Sequence, residues 1–93
     1  MIPPELAHLN PANVREFLPL VEQYKRRGYT AAACANAIVR PWSQQATRDA
    51  KAGLRPAILI EQDLAKACAM LGDIIHTVYR TRVLFTNHGS VLS

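Results

Sequence analysis

The sequence predicts an all-α fold: three or four short helices packed against one long amphipathic C-terminal helix over 56–86. Three observations carry that expectation. Apolar side chains recur at helical spacing in two stretches, Val14 to Tyr24 and Ala57 to Phe85. Residues suited to helix starts and stops flank those stretches. Alanine, the residue that enters a helix at least cost, supplies 14 of the 93 positions.

Residues 1–10 read as a proline-led arm, in which Pro3 and Pro4 start a short helical turn through Glu5, Leu6, Ala7 and Leu9. Asn10 is placed to cap the next helix, with Pro11 at its first position, where a missing N–H does no harm. Val14, Phe17, Leu18, Val21 and Tyr24 then form one apolar stripe. Pro19 lies inside it and is expected to kink the helix or split it at Leu18. Lys25, Arg26 and Arg27 suit the negative end of the helix dipole, and Gly28 suits the left-handed position beyond it.

Thr30 can cap a second helix, Ala31 to about Val39, made mostly of alanine with Cys34 and Ile38. Arg40-Pro41-Trp42 is expected to interrupt it as a loop. Ser43 would then cap a third helix ending at Gly53. That segment has only Ala46, Ala50 and Ala52 to bury and reads as a surface helix.

Pro56 opens the longest segment. Wound at about 100° per residue, Ala57, Ile60, Leu64, Ala67, Cys68, Leu71, Ile74, Ile75, Val78, Tyr79 and Phe85 share one arc, with Gln62, Lys66, Asp73, His76 and Arg80 opposite. Gly72 is the weak point of this helix, because glycine costs about 1 kcal/mol in a helix interior. Asn87-His88-Gly89 reads as the stop, and 90–93 as a tail. One unbroken helix over 56–86 would be about 46 Å long. A compact domain of this size is only about 32 Å across, so one end should overhang. Leu59, Met70 and Leu84 fall outside the main arc, on the side the domain cannot cover.

The chain has the length of a single domain, and half of it is apolar, too much for a disordered chain. No apolar run approaches the roughly 20 residues that cross a bilayer. Met1 to Glu5 has neither the charged nor the apolar region of a secretory signal. Cys34 and Cys68 lie far apart and outside any C-x-x-C pair, so free buried thiols in a reducing, intracellular compartment are expected.

Charge is uneven. Residues 24–55 hold Lys25, Arg26, Arg27, Arg40, Arg48, Lys51 and Arg55 against Asp49 alone, a segment sum of +6 in a chain of net charge +4. Little points to catalysis. Asp73 and His76 are three apart on a polar face, but no nucleophile stands near them, and a surface ion cluster explains them better. His8, His76 and His88 are too dispersed for a metal site, and no glycine-rich phosphate loop is present, so no cofactor is expected.

The function expected is a non-catalytic protein–protein interaction module, a small accessory or adaptor subunit whose partner is another protein chain or a second copy. It would dock through the long helix and the Trp42 loop, with Leu59, Met70 and Leu84 as contacts. The alternative is a small basic DNA- or RNA-binding regulator with a helix-turn-helix-like segment at 30–52. There Arg26, Arg27, Arg40, Gln44, Gln45, Arg48 and Lys51 would meet phosphates and base edges. Against that alternative, residues 43–52 lack the large aliphatics that dock a recognition helix.

Overall fold

The computed structural model describes residues 2–86. A 3₁₀ turn, Pro4–Leu6, precedes three α-helices: α1 (Pro11–Arg26), α2 (Ala31–Lys51) and α3 (Ala57–Tyr79). The all-α expectation holds, with three α-helices in place of a bundle of short helices on one long one.

The helix starts form as the sequence indicates. The Asn10 side-chain oxygen accepts from the Ala12 N–H at 2.9 Å, and the Thr30 hydroxyl accepts from the Ala33 N–H at 3.1 Å. Each occupies a donor that the first helical turn leaves without a partner. Two of the stops follow one pattern. After α1, Tyr29 N–H bonds back to the Tyr24 carbonyl and Gly28 N–H to that of Lys25. After α2, Leu54 N–H reaches Asp49 and Gly53 N–H reaches Ala50. Both pairs are Schellman closures, and both need a left-handed residue, which Gly28 (φ 88°) and Gly53 (φ 70°) supply.

Both internal prolines were expected to break their helices, and neither does. α1 runs unbroken through Pro19. α2 runs through Pro41, so the two helices expected over 31–52 are one helix of 21 residues. A proline inside a helix removes one hydrogen bond and crowds the preceding turn, at a cost of about 3 kcal/mol. Here both rings lie on exposed faces, where water can reach the carbonyls left without a donor. Packing on the other face holds the helix together: Ile38 and Val39 are buried just before Pro41, and Trp42 meets Phe17 edge-to-face just after it, 5.4 Å between ring centres. Trp42 is therefore half-buried in a helix and not on a loop, and Ser43 is an interior residue and not a cap. A turn at 40–42 does not exist, and the helix-turn-helix goes with it.

α3 also departs from expectation, at its far end. It passes through Gly72 without a break but stops at Tyr79, seven residues short of 86. Arg80 turns the chain with φ 57°, and its N–H bonds to the His76 carbonyl. Thr81 to Thr86 are rich in residues that favour extended backbone. They double back, so that Phe85 lies against Gly72, its ring edge 3.4 Å from where a Cβ would stand. Gly72 thus serves as a seat for Phe85. At 23 residues α3 is about 34 Å long, nearly the 39 Å long axis of the molecule. The stop expected at Asn87 to Gly89, His88 with it, and the tail at 90–93 lie outside the described residues.

α3 packs against both other helices and the 3₁₀ turn, whereas α1 and α2 touch each other more sparingly. The core is Leu6, Val14, Val21, Ala31, Cys34, Ala35, Ile38, Val39, Cys68, Leu71, Ile74 and Ile75. On α2 every buried residue lies before Arg40. On α3, among the residues whose burial is described, only Ile60 is buried before Cys68. The core thus sits at one end, closed by the arm, the α1–α2 turn and the last half of α3. The other end is a two-helix hairpin with little beneath it.

Candidate functional site: the exposed end of the α2–α3 hairpin

The hairpin end is built by a sequence that gives each helix a core-facing stripe for only half its length. Beyond Trp42, the inward positions of α2 hold Ala46 and Asp49, both half-buried, which offer little to bury. The first turns of α3 place Ile60 and Leu64 inward and leave Ile58 and Leu59 outside. Arg55 in the connecting turn ion-pairs with Asp63, tying the turn to α3.

Large aliphatic side chains stand open to solvent here. Leu54 is 71% exposed, Ile58 65% and Leu59 46%; among the described residues the one other exposed large apolar side chain is Leu84, at 68%. Further along α3, Ala65 and Ala69 are exposed on the same helical face as Ile58, with exposed Glu61 and Gln62 between. A shallow groove of about 300 Å³ lies there over Leu64, Cys68 and Ala69, walled by Phe85 and bordered by Glu61. Small side chains at 65 and 69 let another backbone approach closely.

Beside the tip runs a basic stripe. Arg40, Gln44, Thr47, Arg48 and Lys51 recur at helical spacing on the exposed face of α2. Arg48 Nη2 donates to Gln45 Oε1 at 3.0 Å, and Gln45 Nε2 donates to Asp49 Oδ1 at 2.8 Å. Gln45 is thereby occupied within its own helix.

Of the contact residues expected from sequence, Leu59 and Leu84 are exposed. Met70 is not: it is half-buried and packs on the core, as does Trp42. Of the basic set, Arg40, Gln44, Arg48 and Lys51 share one face of α2, while Arg26 and Arg27 sit at the α1–α2 turn. The Arg27 guanidinium lies over the Tyr29 ring, 5.5 Å from its centre. The sequence reading passed over Leu54 and Ile58. Ile58 had a visible sign, since winding α3 at about 100° per residue puts it well off the buried arc. Leu54 had none, because a lone leucine after glycine looks like any turn residue.

At the opposite end lies a polar hollow of about 260 Å³, lined by Glu5, His8, Asp73, His76, Thr77, Arg80 and Arg82. Asp73 pairs with His8 of the arm, 3.0 Å away, and Arg80 stands 3.8 Å from Glu5. These exposed contacts fasten the arm to α3 and carry little free energy each. The thiols are elsewhere. Cys34 and Cys68 are free and buried in the core, and burial pushes both thiols up from their ordinary range. Among the described residues no three of His, Cys, Asp and Glu are grouped to hold a metal ion, and no helix is long and apolar enough to cross a membrane.

Compared with protein-family models, with curated proteins and with solved structures, the chain matches none.

Proposed function

We propose that this chain is a non-catalytic protein–protein interaction module, a small accessory or adaptor subunit that docks through the exposed end of its α2–α3 hairpin. The observation that carries the reading is the concentration of Leu54, Ile58 and Leu59 in the open, at the end of the molecule where the core gives out. Scattered surface leucines need no explanation, but three large aliphatics at one tip form a patch of the kind that partners cover. The docking surface is thus the start of α3 and the turn before it, in place of the Trp42 loop.

Position-specific photo-crosslinking in the host cell tests this. A photoreactive residue at Ile58 should give a discrete adduct with another protein. The same residue at Glu16, exposed on α1, should give none. Equal labelling from both positions, or none from Ile58, refutes the reading.

A further inference from the structure

We propose that the exposed face of α2 is a binding site for duplex DNA, seated in the major groove. Arg40, Gln44, Thr47, Arg48 and Lys51 are all exposed. They fall within an arc of about 100° when the helix is wound at 3.6 residues per turn. The one acid of α2, Asp49, winds to the opposite side, is half-buried and accepts from Gln45. The stripe is therefore cationic from end to end, with no acid of its own helix to neutralise it. Arg48 gives one N–H to Gln45 and keeps the rest of its guanidinium donors. Residues 43–52 need no large aliphatics of their own, because they continue a helix that Cys34, Ala35, Ile38 and Val39 anchor.

Composition and shape single out DNA among anionic partners. The stripe holds no large apolar side chain; between its cations stand only Gln44 and Thr47. A protein partner needs a buried anchor, and a membrane needs an apolar side beside the cations. Phosphate backbones need neither. An α-helix with its side chains is about 10–12 Å across, and the major groove of B-form DNA is about 12 Å wide. The hairpin end is two helices thick, so the outer face of α2 stands clear there. From Arg40 to Lys51 the stripe covers about 16 Å, enough to set cations against the phosphates of both groove walls. The deep, narrow major groove of duplex RNA would not admit the helix. Because α2 and α3 pack on each other, this face and the exposed side of α3 look outward in different directions. The stripe can hold DNA while Leu54, Ile58 and Leu59 hold a protein, and the inference stands or falls apart from the docking reading.

The measurement is fluorescence anisotropy of a labelled DNA duplex of about 20 base pairs, titrated with the intact chain at about 50 mM salt. Binding is expected, falling with salt on a log–log slope of about −2.7 for three phosphates. The double reversal Arg48→Glu/Lys51→Glu should weaken it at least about tenfold and take about 2 off the slope. The same change of charge at two other exposed cations, Arg15→Glu/Arg82→Glu, should weaken it less than about threefold. Ile58→Ser should leave it unchanged, and an RNA duplex of equal length should bind at least about fivefold more weakly. Thermal melts check folding; where the stripe reversal lowers the melt, Arg48→Gln/Lys51→Gln takes its place. No binding at low salt overturns the inference. So does an equal loss from the two reversals, which would mean attraction to net charge alone. Equal binding of RNA, or loss of binding with Ile58→Ser, also overturns it. Polyglutamate and vesicles with anionic lipid are run in parallel. Capture of either as tightly as DNA, with the same dependence on the stripe, would put that partner in place of DNA.

Discussion

Tyr79 ties together three elements with one side chain. It ends α3, its hydroxyl donates to the Tyr29 carbonyl at 2.9 Å in the α1–α2 turn, and it interacts with the buried Cys34 sulfur of α2. Burial, reinforced by the proximity of Cys34, holds its phenol up at about 12. An acid whose proton is held more tightly in the folded state stabilises the fold below its unfolded pKa, near 10. That contribution disappears as pH climbs from about 10 to about 12. The two core thiols, also pushed upward, act in the same sense above about pH 9. Urea midpoints measured from pH 8 to pH 11 should therefore fall at the alkaline end. Tyr79→Phe should flatten part of that fall, and at pH 7 it should cost about 1 kcal/mol for the lost hydrogen bond. An alkaline limb identical in the variant would show that Tyr79 is not the group responsible. None of this was legible beforehand: Tyr79 was placed on the correct face of its helix, but the carbonyl it meets is fifty residues away.

At the scale of elements the sequence was readable where a rule is local, and misleading where packing overrides one. Asn10, Thr30, Gly28 and Gly53 all mark ends that the structure confirms, because a cap acts within one turn. Pro41 misled, because its local penalty is outweighed by Ile38, Val39 and Trp42 docking on α1 and α3, and those contacts are invisible in a window of ten residues. The consequence is measurable. If α2 is one helix strained by an exposed proline, Pro41→Ala should stabilise the protein by up to about 3 kcal/mol, seen as a higher denaturation midpoint. A change below about 0.5 kcal/mol would mean that the helix does not run through that position as described. The end of α3 was misread for a related reason. Phe85 fits the helical arc by spacing, yet it reaches the core from the other direction, by a chain reversal at Arg80 that no glycine announced.

At the scale of the whole molecule, stability is divided between two ends. The core end holds every residue of the main buried cluster, while the hairpin end buries Ile60 and otherwise relies on alanines and half-buried Leu64. Local opening should follow that division. Amide exchange at neutral pH is expected to show backbone positions 71–78 protected close to the level of global unfolding and positions 44–52 and 58–64 exchanging at least about tenfold faster. Uniform protection would contradict the division, and with it the idea that this end is incomplete on its own. The candidate site was half legible in the sequence. The exposure of Leu59 was foreseen. The overhang expected of a helix of about 46 Å is not found, because α3 is about 34 Å long, within the 39 Å long axis. The thinly covered part is its start, shared with α2. Which half of a helix is left uncovered depends on where its neighbours run out, and that is a property of three lengths taken together.

The third helix has one more consequence, for the order of events. It makes the contacts that bind every other element, while the first two helices touch each other sparingly. A chain emerging from the ribosome must therefore carry the aliphatic faces of α1 and α2 uncovered until the residues up to Tyr79 have followed. For that interval the growing polypeptide shows water the apolar surface that the folded protein hides.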